Sequence, residues 1–160
     1  MKLLILSDIH GRNDLLVQVM EREADADNIL FLGDGLEEMN RWQQQHPGHR
    51  VYAVRGNCDE AYAPAEALAA FHGFLFFYTH GHHYGVKSSL EMLSEAAAAR
   101  GAQVALFGHT HAPLHTTLNG IELFNPGSIQ LAAWADGFGS SYGVITVTPE
   151  GELHCEHRRV

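Results

Sequence analysis

The sequence predicts an α/β fold, either one mixed sheet or two sheets face to face, with helices on the outside. Three observations carry that expectation. Six short apolar runs have the length of buried strands, and each is followed at once by a residue of metal-binding or phosphate-facing type. Helical patterns separate these runs through the first half of the chain, which suggests a parallel core. Turn signals between strand-like segments take over in the second half.

Leu3-Leu4-Ile5-Leu6 opens the chain as a strand and runs into Asp8 and His10. Asn13 is placed to cap a helix that carries Leu16, Val17, Val19 and Met20. Ile29-Leu30-Phe31-Leu32 leads to Asp34, and a second helix covers Glu37 to Gln45. That helix must stop before His46-Pro47-Gly48, because the residue before proline disfavours helical backbone. Val51-Tyr52-Ala53-Val54 leads to Asn57, and Phe74-Leu75-Phe76-Phe77 to His80. A third helix has Ser88 and Glu91 in capping-box spacing, a Leu90/Leu93/Ala97 face, and Arg100-Gly101 at its end. Val104-Ala105-Leu106-Phe107 then leads to His109 and His111. Leu114–Leu118 and Ile121–Phe124 flank Asn119-Gly120, a pair suited to a type I′ turn, and the second of these strands ends at Asn125. Tyr142–Val147 and Glu152–His157 flank Pro149-Glu150-Gly151 and form the other expected hairpin.

Composition bounds the function. At 160 residues, 46% of them hydrophobic, the chain suits one globular domain spanning 1–160. No segment is long enough to span a membrane, and Asp8 interrupts the opening apolar stretch well short of a signal-peptide core. Cys58 and Cys155 cannot make a disulfide framework, so a cytoplasmic location is expected. The formal charge of −9 argues against a nucleic-acid partner. A small phosphate ester stays compatible with it, because bound cations reverse the local field.

Open α/β sheets bind ligands just beyond the carboxyl ends of their strands. Such a sheet gathers Asp8, His10, Asp34, Asn57, His80, His109 and His111 into one crevice, a ligand set for two metal ions. Asp8 and His10 lie two residues apart and can point the same way. Asp34, with two carboxylate oxygens, is the natural bridge. Mixed oxygen and nitrogen ligation suits Mn²⁺ foremost, with Zn²⁺, Fe, Ni²⁺ or Co²⁺ as alternatives. Singly these pieces are ordinary turns; their joint order carries the signal.

Asp8-x-His10, Gly33-Asp34, Gly56-Asn57, Thr79-His80-Gly81 and Gly108-His109-Thr110-His111, in this order, resemble the calcineurin-like metallophosphoesterase superfamily. Gly56-Asn57-Cys58-Asp59, His80-Gly81-His82 and Asn125-Pro126-Gly127-Ser128 are similar to its small YfcE-like phosphodiesterase branch. The resemblance runs from Lys2 to about Val147. It implies a four-layer α/β/β/α sandwich, two mixed sheets flanked by helices. It also implies one ion held by Asp8, His10, Asp34 and His111, and another by Asp34, Asn57, His80 and His109. The activity it implies is phosphoester hydrolysis, foremost of a phosphodiester, by a metal-bridging hydroxide.

Asp34, Asn57 and His82 are the residues expected to carry catalysis. Many superfamily members have His after Gly-Asn, where it assists the leaving group; Cys58 stands there in this chain, as in the branch it resembles. A thiol is a mediocre acid, which makes His82 the candidate proton donor, against the alternative of a solvated loop residue. Arg12 is a candidate substrate-phosphate contact, or else an exposed helix-start residue. Asn125 either lines the crevice or holds its own loop. The competing function is a metal-binding interaction scaffold, like the retromer subunit of the same fold. The hairpin edges leave a homo-oligomer open.

Overall fold

The structure is a computed structural model that describes residues 1–130 and 139–160. Ten strands form two sheets of five. The first comprises β1 (Lys2–Leu6), β2 (Asn28–Phe31), β3 (Val51–Ala53), β9 (Ser141–Val147) and β10 (Leu153–Arg159), in the order β10-β9-β1-β2-β3. The second comprises β4 (Glu66–Phe71), β5 (Phe74–Thr79), β6 (Val104–Leu106), β7 (Leu114–Leu118) and β8 (Ile121–Asn125), in the order β4-β5-β6-β8-β7. Three helices flank them: α1 (Asn13–Arg22), α2 (Leu36–Gln45) and α3 (Glu91–Ala99). Among the described residues no helix is long and apolar enough to cross a membrane.

Side-chain alternation along each strand divides the apolar runs among three cores. Leu4, Leu6, Ile29 and Phe31 face Leu16, Val19, Met39 and Trp42 of α1 and α2. Leu3, Ile5 and Leu30 point the other way, onto Phe76, Val104, Leu106 and Phe124 of the second sheet. Phe77, Ala105 and Leu123 cover Leu93 and Ala97 of α3. The layers are therefore α/β/β/α, and burial on both faces is why the strands read as unbroken apolar runs. Each fully buried Leu, Ile or Phe contributes about 1.5–3 kcal/mol, so the fold rests on these three interfaces.

The six strands with ligand-type endings are the parallel ones. β1, β2 and β3 run parallel in one sheet, and β5, β6 and β8 in the other. Their carboxyl ends therefore share one edge of each sheet. The antiparallel strands sit outside them: β9 and β10 at one margin of the first sheet, β4 and β7 at the two margins of the second.

The β7–β8 hairpin closes as expected, with Asn119 and Gly120 both at positive φ (52° and 76°). The β4–β5 hairpin was not expected from sequence. Its turn uses the same device at His72 and Gly73 (φ 46° and 88°). Two expected caps are corrected. Asn13 lies inside α1, behind Arg12, and makes no side-chain cap. Ser88 does not cap α3; Ser89 Oγ accepts from the Glu91 N–H instead (3.2 Å). The helix end is as read: Gly101 adopts φ 75°, and the Ala102 N–H donates to Ala97 O (3.0 Å).

Candidate metal centre

Short loops after the parallel strands deliver the site. The Asp8 N–H donates to Gly33 O (2.9 Å) and the Ile9 N–H to Asp34 O (2.8 Å), so the first two loops lean on each other. The second sheet joins them through the His109 N–H, which donates to Asp8 Oδ2 (3.2 Å), and through His80, whose Nδ1 bonds Leu32 O (2.7 Å). Since the carbonyl can only accept, Nδ1 carries the proton, and Nε2 is the nitrogen turned toward the carboxylates.

Two clusters result. Asp8, His10 and His111 form one, and Asp34, His80 and His109 the other, while His10, Asp34 and Cys58 make a trio that spans them; within each group one donor atom per residue lies within 4.8 Å of the rest. His111 Nε2 lies 3.0 Å from Asp8 Oδ1, and His80 Nε2 lies 3.2 Å from Asp34 Oδ2. The clusters adjoin: His10 Nε2 is 3.4 Å from Asp8 and 3.7 Å from Asp34, and His80 Nε2 is 3.9 Å from Asp8. Asp8, Asp34 and His80 are buried. Yet Asp8 Oδ1, His10 Nε2 and His80 Nε2 have no hydrogen-bond partner. Buried polar atoms are rarely left so, and three converging from the loops after β1 and β5, one in each sheet, fit a divalent cation with oxygen and nitrogen ligands.

The backbone gives the same indication. Among the described residues seven non-glycine residues have positive φ, and five of them are Asp8, His10, Asp34, His109 and His111. Close approach also dictates residue size here. A Cβ on Gly56 would overlap Asp34 Oδ1, and one on Gly108 would overlap Ser7 Oγ.

Electrostatics follows from burial and pairing. Burial alone would raise the Asp8 carboxyl, but the nearby imidazoles of His10, His111 and His80, with the Ser7 hydroxyl, hold it well below the usual carboxylate range. Asp34 is also lowered; burial opposes this, and His80 and the Cys58 N–H drive it. At His109 burial and the neighbouring His80 outweigh the charge of Asp8 and push the pKa down to about 4. Cys58, though exposed, is moved up by partial desolvation and the charge of Asp34, which disfavours its thiolate.

The other expected residues fall in several places. His82 lies in a 3-10 turn (His82–Tyr84) against the centre, its ring 5.4 Å from that of His80 and 6.1 Å from that of His109. Burial and the neighbouring His83 lower its pKa. Asn57 is exposed, and its amide contacts Cys58 Sγ (3.4 Å). A cavity of about 450 Å³ beside His10 and Asp34 is rimmed by Glu37, Glu38, Cys58, Asp59 and Glu60. Arg12 does not line it; its guanidinium pairs with Asp14 (3.0 and 2.9 Å). Asn125 as a substrate contact is corrected. It is fully buried, donates to Gly108 O (3.0 Å) and Thr110 Oγ1 (2.9 Å), and accepts from the Gly127 N–H (2.9 Å). Asn125 thus holds the loop that carries His109 and His111.

Three supporting residues escaped the sequence reading of roles. Ser7 donates to Asp8 Oδ2 (2.6 Å), and Ser128 to Asp8 O (2.9 Å). Asp59 accepts four backbone N–H bonds, from Asp34 (2.8 Å), Gly35 (2.9 Å), Leu36 (2.9 Å) and Gly56 (2.7 Å). Its signal was its place in Gly56-Asn57-Cys58-Asp59.

Comparison with known proteins agrees with this geometry. The chain is 37% identical over 134 residues to "Probable metallophosphoesterase YsnB" of Bacillus subtilis, covering 82% of this chain and 76% of that protein. It is 30% identical over 170 residues to "Phosphodiesterase YfcE" of Escherichia coli, covering 91% and 87%. A solved structure of YfcE from Escherichia coli, 24% identical, superimposes over the whole of both chains with a TM-score of 0.70. Wild-type Vps29 of Entamoeba histolytica, solved with Zn²⁺, shares the fold at 18% identity and a TM-score of 0.74, covering 99% of this chain and 98% of that one. The family implies divalent metals, in keeping with the unpartnered donors described above. With the model of the calcineurin-like phosphoesterase superfamily domain matching residues 1–150, the chain belongs to that superfamily.

Proposed function

We propose that the protein is a divalent-metal-dependent phosphoesterase whose substrate is a small phosphodiester. The observation that carries this reading is the convergence of Asp8 Oδ1, His10 Nε2 and His80 Nε2, buried and without hydrogen-bond partners, between two three-residue clusters. In this reading Asp8, His10 and His111 hold one ion, His80 and His109 hold a second with Asn57, and Asp34 serves both. Such a pair polarises phosphoryl oxygens and lowers the pKa of a water, so no side-chain nucleophile is needed. The chain's own part is positional. Asp8 and Asp34 stay ionised, His80 is oriented by Leu32 O, and His82 stands beside the centre as the proton donor to the leaving alcohol. The acidic rim disfavours long polyanions and supports a small substrate. The name of the Escherichia coli relative supports diester hydrolysis.

The likeness to Vps29 favours a second reading, a metal-binding interaction scaffold. Hydrolysis of bis(p-nitrophenyl) phosphate in excess Mn²⁺ separates the two. The enzyme reading expects metal-dependent turnover that Asp34→Ala lowers by more than the ~10–100-fold typical of an outer-shell loss. A wild-type rate no higher than that of Asp34→Ala leaves the scaffold.

A further inference from the structure

A second group of ligand-type side chains lies away from the crevice, where the β7–β8 side of one sheet meets β10 of the other. His115, Glu122 and Cys155 each bring one donor atom within 4.8 Å of the other two. Strand register explains the meeting. His115 pairs with Phe124, and Glu122 sits two residues along β8 from Phe124, so all three side chains leave the sheet on the same face. That face is the inter-sheet core, to which Phe124 belongs. Cys155 pairs with Ile145 on β9 and points into the same core from the opposite sheet. His115 Nε2 and Glu122 Oε1 are 2.6 Å apart, and their side chains remain 37% and 32% exposed. Two donors at the rim and a sulfur behind them leave an approach from solvent.

We propose that His115, Glu122 and Cys155 form a separate site for one thiophilic divalent cation, Zn²⁺ foremost, which pins the β10 edge of one sheet to the β7–β8 edge of the other. Sulfur, imidazole and carboxylate are the donor types that zinc takes together, and three protein ligands leave a fourth position for water. The plainer account is a surface ion pair above a cysteine that fills core space. A half-exposed pair contributes little to stability, and that account gives no reason for the thiol to meet it from the other sheet. Burial, reinforced by the charge of Glu122, pushes the Cys155 thiol up to about 12, so without a cation the sulfur keeps its proton. Loading an ion releases that proton and leaves a metal–thiolate bond. The site is independent of the phosphoesterase reading, since it shares no residue with the crevice.

Co²⁺ added to chelator-stripped protein tests it, because only a cysteine ligand gives thiolate-to-cobalt charge-transfer absorption in the near ultraviolet. Cys58 lies within reach of His10 and Asp34, so Cys58→Ser is the necessary second background. The band is expected in wild type, in Cys58→Ser and in Asp34→Ala. It is expected to vanish in Cys155→Ser, which should also bind one Zn²⁺ fewer than wild type by elemental analysis. His115→Gln keeps the thiol and changes only a rim residue, so it serves if Cys155→Ser folds poorly; a tenfold or greater loss of Co²⁺ affinity is expected there. No band in wild type, a band that follows Cys58, or an unchanged titration in His115→Gln overturns the site.

Discussion

Left-handed backbone at Asp8, His10, Asp34, His109 and His111 costs on the order of 1–2 kcal/mol at each residue. A chain keeps such conformations only where its surroundings over-determine them, and here the over-determination points donor atoms inward. The same scale bears on the proton donor proposed above. A raised pKa makes the Cys58 thiol a weak acid, whereas His82 packs against both His80 and His109. His82→Gln is therefore expected to lower turnover at least tenfold more for an alkyl phosphodiester than for one that releases p-nitrophenolate, which needs little protonation. Steady-state kcat on the two substrates reads this directly. Equal losses on both would remove His82 from the role.

The elements show what could be read in the chain and what could not. Leu3–Leu6, Ile29–Leu32 and Val104–Phe107 were legible because burial on both faces makes a strand an unbroken apolar run. The metal-type residues were legible for a related reason: they follow those runs within a few positions. β4 was not, because Glu66–Phe71 is rich in alanine and is held by its pairing with β5 rather than by propensity. One cap could not be read at all, because its partner is distant. The first N–H groups of α2 are capped by Asp59, 23 positions beyond Leu36, and no local spacing announces that. The same carboxylate takes the Asp34 and Gly56 N–H groups, so it fixes a ligand loop and a helix start together. Asp59→Ala should destabilise the protein by about 1–3 kcal/mol, the penalty for buried donors left without a partner. It should also weaken Mn²⁺ binding about 10–100-fold, as loss of an outer-shell partner does. Denaturant titration and metal titration measure the two effects, and intact metal affinity would dissociate the clamp from the site.

At the scale of the whole molecule, β9 and β10 join the parallel core through the β1–β9 ladder, and one carboxylate adds a second tie on that side. Glu23, at the end of α1, accepts from Tyr142 of β9 (2.7 Å) and from Arg158 of β10 (2.8 and 3.0 Å), and lies 2.7 Å from Lys2 Nζ of β1. Its side chain is 1% exposed. Burial opposes ionisation, but Lys2, Tyr142 and Arg158 win, and the carboxyl is drawn from an ordinary 4.5 to about 2. A depressed pKa in the folded state contributes stability above the unfolded value and loses it as pH falls toward the folded one. The contribution is therefore complete above about pH 4.5 and gone near pH 2. At ~1.4 kcal/mol for each tenfold change, it amounts to about 3 kcal/mol at neutral pH. Urea unfolding of wild type and Glu23→Gln, both stripped of metal, should differ by that amount at neutral pH, and the gap should narrow steadily below about pH 4.5. The crevice carboxylates Asp8 and Asp34 also titrate in acid, but they do so in both proteins and cancel from the difference. A gap that stays constant down to about pH 2 would show that Glu23 acts by shape and packing rather than by charge.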